Sequence, residues 1–92
     1  MTTVWSRAPG VPWRRVVDGA VLLPPAGDEP LVVTGPGAVV WELLATPGDL
    51  ASLAERVSSR FGVSAERVAD DIAPFLEALA ERSLVTGSGA TG

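Results

Sequence analysis

LVVTGPGAVVWELL, residues 31–44, decides how this chain is read, because its hydrophobic period changes partway along. Leu31 to Thr34 is a short β-branched run, opened by Pro30, and predicts a strand. Gly35-Pro36-Gly37 breaks it. Ala38 to Ala45 then predicts a short helix, with Val40, Trp41 and Leu44 on one side. The chain therefore passes from sheet to helix at residue 35.

On the N-terminal side, Trp13 to Val17 and Ala20 to Leu23 flank Asp18-Gly19, a pair that favours a two-residue type I′ hairpin turn. Pro24-Pro25 stops the second strand, and residues 26–29 form a loop before the third. Three short strands with short connections predict an antiparallel meander. Trp5 precedes it, and either packs back on the domain or marks an exposed contact.

On the C-terminal side, Pro47-Gly48 ends the first helix and Asp49 is a good N-cap for a second. Leu50, Leu53, Val57 and Phe61 recur in it at helical spacing, and Gly62 suits a left-handed C-terminal residue. Ser64 caps a third helix, in which Val68, Ile72, Phe75, Leu76 and Leu79 share one arc. Pro74 interrupts its backbone bonding and predicts a kink near Asp70–Asp71. Residues 86–92 hold three glycines and only small side chains, so a flexible tail is expected after a single domain over 1–85. The expected fold class is α+β, a three-stranded antiparallel sheet followed by three helices, similar to a winged helix-turn-helix.

Composition restricts function. The 92 residues, 47% hydrophobic, suit one small core. The chain has no His, Cys, Lys or Tyr, which removes His- or Cys-based zinc sites, Ser–His and Cys–His pairs, Schiff-base chemistry and a P-loop lysine. Eleven acids remain, but so short a chain can scarcely enclose a catalytic pocket and keep a core. No enzyme, cofactor or metal is expected. No apolar stretch is long enough to span a bilayer, Met1 to Gly10 lacks a signal-peptide pattern, and Cys is absent, so a cytoplasmic, membrane-free setting is expected.

A formal charge of −4 disfavours nucleic acid. The third helix, where a winged helix would read DNA, carries Glu66, Asp70, Asp71, Glu77 and Glu81 against Arg67 and Arg82, and phosphate repels such a helix. A strand edge beside an amphipathic helix offers another use, since its free N–H and C=O groups are a template for an incoming strand. The large apolar residues of the third helix serve either as core or as groove lining. Asp70 and Asp71 either face solvent or orient a basic residue of a bound peptide. One of Arg14 and Arg15 faces solvent, and Trp41 reads as a core anchor.

Pro9-Gly-Val-Pro-Trp-Arg14, Val17-Asp-Gly19, Val21-Leu-Leu23, Gly37-Ala-Val-Val-Trp-Glu-Leu-Leu44, Phe61-Gly-Val63 and Phe75-Leu-Glu-Ala-Leu79 together resemble the PqqD-like proteins, or RiPP precursor peptide recognition elements. The resemblance spans about residues 9 to 85. It implies a winged-helix-like fold that binds the leader segment of a ribosomally made precursor as an added strand, between the third strand and third helix, and presents it to modifying enzymes. Carried onto this chain, it implies backbone pairing by Leu31, Val32, Val33 and Thr34 and side-chain contacts from Val68, Asp71, Ile72 and Phe75. Proline at Val33 is the natural test of such pairing. The chain departs from the family's Asn-x-Thr-Gly turn at Thr34-Gly35-Pro36-Gly37, and Pro74 is unexpected there. A short, lysine-free member looks like the free-standing recognition proteins of lasso-peptide clusters, which act with a leader peptidase and a cyclase. The pyrroloquinoline quinone pathway, with a radical enzyme, is the alternative, and a DNA-binding regulator is a further one.

Overall fold

The computed structural model describes residues 3–25, 27 and 29–89. The elements run β1 (Thr3–Arg7), β2 (Trp13–Val16), β3 (Gly19–Leu22), β4 (Leu31–Thr34), α1 (Pro36–Leu43), β5 (Gly48–Asp49), α2 (Leu50–Phe61), α3 (Ala65–Glu81) and β6 (Val85–Gly89). The expected meander is the antiparallel sheet β2-β3-β4, and the three expected helices follow it. A second antiparallel sheet, β5-β1-β6, was not expected. The fold is α+β, and the winged-helix comparison fits it loosely because of this added sheet.

The hairpin differs from its expected form by one residue. Val16 pairs with Gly19, so Val17 and Asp18 make the turn. Neither has a positive φ, which excludes a type I′ turn. Gly19 belongs to the strand instead. A Cβ placed there would lie 1.9 Å from the Val33 carbonyl oxygen, so glycine is needed for β4 to approach.

Helix ends follow local rules closely. The Asp49 side chain accepts from the Ser52 N–H at 2.8 Å, and Ser64 accepts from the Arg67 N–H at 3.3 Å. Gly62 closes α2 in the left-handed conformation. α1 starts two residues earlier than expected, because Pro36 sits in its first turn, where no N–H is needed. Gly35, at φ 56° and ψ −134°, supplies the backbone angles that let β4 turn into it. Just past the end of α3 and its C-cap Arg82, Ser83 is a non-glycine residue at φ 60°. The Ser83 N–H donates to the Ala80 carbonyl and the Leu84 N–H to that of Leu79, a Schellman pattern. Pro74 brings no N–H to the Asp70 carbonyl, yet α3 runs through it to Glu81.

The core gathers around Trp41, with Leu22, Leu44, Leu53, Val57, Leu76, Leu79 and Leu84 fully buried. Each such side chain stabilises the fold by about 1.5–3 kcal/mol relative to exposure. Phe61 leaves the apolar stripe of α2 at its last turn and is 45% exposed. The expected tail over 86–92 is corrected for 86–89, which pair with β1 from Thr3↔Gly89 to Arg7↔Val85, while 90–92 lie outside the described residues. Trp5 packs back over this strand. A Cβ at Gly87 would come within 3.0 Å of its ring, so glycine makes the seat for the indole.

Candidate functional site

Among the described residues, strand β4 pairs with β3 alone, so one side of it is open. Which groups point there follows from the ladder. The Leu23 N–H donates to the Pro12 carbonyl at 3.0 Å, which makes residues 12 and 23 a bonded pair. Bonded and non-bonded pairs alternate in antiparallel strands, so Gly19 and Val21 also face β2, and Ala20 and Leu22 face β4. Their partners Val33 and Leu31 therefore face β3. Val32 and Thr34 are left with N–H and C=O groups directed at the open edge. The close approach of the Val33 carbonyl to Gly19 agrees with this phase. Proline at Val33 would break the sheet itself. The test belongs at Val32.

A groove of about 320 Å³ runs beside this edge, lined by Leu31, Val32, Val33, Thr34, Pro36, Gly37, Asp71, Ile72 and Phe75. The structure thus brings together seven of the eight residues expected at the site. Val68 is not among them: it is buried in the core. Its helical phase gives the apolar side of α3 but not the depth, and at its turn that side is covered. Pro36 and Gly37 are the lining residues that the sequence reading missed, since Gly-Pro-Gly reads only as a breaker. Gly37 has a role at the wall. A Cβ there would stand 3.2 Å from Cζ of Phe75, so its absence lets the ring settle against the start of α1.

The two edges of the β2-β3-β4 sheet differ in charge. β2 carries Arg14 and Arg15, both exposed, and Arg15 pairs with Glu42 at 2.6 Å. Charged side chains discourage pairing at an edge. β4 carries none, and Val32 is 60% exposed. A larger groove, about 730 Å³, lies between the face of β1 and β6 and helices α2 and α3, around Trp5, Leu50, Leu76 and Glu77. Its sheet wall is made of side chains on one face, with Trp5 on the central strand, so it offers no comparable backbone template.

Among the described residues, no cluster of three or more His, Cys, Asp or Glu could hold a metal ion, and no helix is long and apolar enough to cross a membrane. The site is a backbone edge over an apolar trough with one carboxylate on its rim.

A small α+β domain with an uncharged strand edge and an apolar groove beside its last helix is the class that fold and site define. Residues 19–85 match the family of coenzyme PQQ synthesis protein D (PqqD), and the chain belongs to that family. The fold is similar to the solution structure of the PqqD truncation of Methylobacterium extorquens PqqCD, which is described as a functional, stand-alone RiPP recognition element. The TM-score is 0.75 at 20% identity, covering 90% of this chain and 88% of the other. Among curated proteins, none is similar enough in sequence to count as a relative.

Proposed function

We propose that this chain is a non-catalytic adaptor that takes the leader segment of a ribosomally synthesised precursor peptide as an extra strand on β4, over the groove walled by α3. The open edge at Val32 and Thr34, uncharged and set directly against an apolar trough, is the observation that carries this reading. Main-chain bonds to these two residues supply affinity, and the trough supplies side-chain selection. Membership of the PqqD family and the likeness to a stand-alone recognition element support it. The adaptor then presents its guest to a modifying enzyme, in our reading the leader peptidase or cyclase of a lasso-peptide pathway, in the cytoplasm.

Calorimetric titration with leader peptides encoded beside the gene tests the proposal. Saturable binding is expected. Failure of every such leader to bind at high micromolar concentration would sink it. Val32→Pro removes one donor from the open edge and should weaken binding at least tenfold, since a lost main-chain bond and a misfitted edge together cost about 1.5–3 kcal/mol. Arg56→Ala, on the exposed side of α2, should leave affinity unchanged. Equal effects of the two substitutions argue against strand addition.

The family's description, a coenzyme PQQ synthesis protein, favours a second reading in which the guest is a quinone-cofactor precursor and the enzyme a radical enzyme. Binding of one leader class and not the other separates the two. A DNA-binding role predicts steeply salt-dependent duplex affinity, which the acidic α3 opposes.

A further inference from the structure

We infer that the groove selects guests carrying a Lys or Arg two positions from an apolar residue, with the basic side chain meeting Asp71. This rests on the strand-capture reading above and assigns it a specificity. Residues directly opposed in a ladder share a face, so guest side chains opposite Leu31 and Val33 point towards α3. There they meet two different surfaces. Ile72 and Phe75 form an apolar wall, the first buried and the second half-buried. Asp71 is the sole charged residue of the lining, is exposed, and has no basic side chain within ion-pair distance among the described residues.

The spacing of these surfaces fits a strand. Asp71 and Phe75 are four residues apart, about 6 Å along a helix axis. Side chains on one face of a strand recur about every 6.7 Å. An apolar guest residue seated on Phe75 thus places its neighbour two positions away at Asp71. The surroundings reinforce the sign. Asp71 also borders a shallow depression lined by Ser64, Glu66, Arg67 and Asp70, in which carboxylates outnumber the one arginine. A positive side chain is favoured there and an acidic one disfavoured.

The test is selection of a randomised twelve-residue peptide display library on the wild type, Asp71→Asn, Asp71→Lys and Glu77→Lys, followed by titration of the best wild-type peptide. Wild type should enrich a basic residue two positions from an apolar one. Asp71→Asn should keep the apolar preference, lose the basic one, and bind the wild-type peptide roughly three- to fivefold more weakly, the scale of a partly exposed ion pair. Asp71→Lys should enrich Asp or Glu at that position instead. Glu77→Lys makes the same charge reversal on the other flank of α3 and should select as wild type does. Apolar guests without basic enrichment, or enrichment unchanged by Asp71→Asn, overturn the inference and leave strand capture standing. A library that yields no binder on the wild type overturns both.

Discussion

Arg7 shows how much one residue organises. Its guanidinium stands 4.8 Å from the Trp13 ring centroid and 4.7 Å from that of Trp41, with the two indoles edge-to-face at 6.0 Å. It donates to the Trp41 carbonyl through both Nε (3.0 Å) and Nη2 (2.8 Å), at the C-terminal end of α1 where positive charge is favoured. Burial lowers its pKa from the ordinary value and the Glu42 carboxylate raises it, but an arginine stays charged at any working pH. Arg7 therefore ties β1, in one sheet, to β2 in the other and to α1. Arg7→Ala is expected to cost about 2–3 kcal/mol, from lost charged hydrogen bonds and cation–π contacts. Urea unfolding checks it. Arg7→Lys should recover less than half, because an ammonium has neither the plane nor the fork. Nothing local in the sequence marks this residue. Its partners lie six and 34 positions away, and only the fold unites them.

At the scale of elements, what was legible depended on how local the cause is. The caps Asp49 and Ser64 and the stop at Gly62 act within one turn, and the structure places each where the sequence did. β1 and β6 are different. Thr86-Gly-Ser-Gly89 has little strand preference of its own, and its pairing partner lies some eighty residues away. The ladder phase that turns the backbone groups of Val33 towards β3 and those of Val32 outward depends on pairing registers across the whole sheet, and it shows in the bond between Leu23 and Pro12 at the far side. So the residues of the groove could be read from alternation and helical period, but their backbone directions could not. The end of α3 gives a further check. Ser83 holds a left-handed conformation at a cost of about 1 kcal/mol, which glycine would not incur. Ser83→Gly should therefore raise stability by about 0.5–1 kcal/mol, read from the denaturant midpoint, with the groove unaffected.

For the whole molecule, the second sheet is the test of what counts as the folded unit. Removing residues 86–92 takes away one of the two partners of β1 and the seat of Trp5 but touches no residue lining the groove beside β4. A passive tail would leave the unfolding midpoint alone. The structure instead leads us to expect a loss of about 2–3 kcal/mol, from several ladder bonds and an uncovered indole, with a red shift of tryptophan emission. In a domain this small that is a large part of the margin. The contrast between the arginine-bearing edge at β2 and the bare edge at β4 reaches beyond one molecule. Because Arg14 and Arg15 disfavour pairing at β2, a contact in which β4 of one chain meets β4 of another would use up the bare edge of both and stop at two chains. Such a pair would occupy the same backbone groups as a guest, so stoichiometry and competition are linked. Apparent affinity for a leader should then fall as protein concentration rises, and the guest itself should return the chain to one copy.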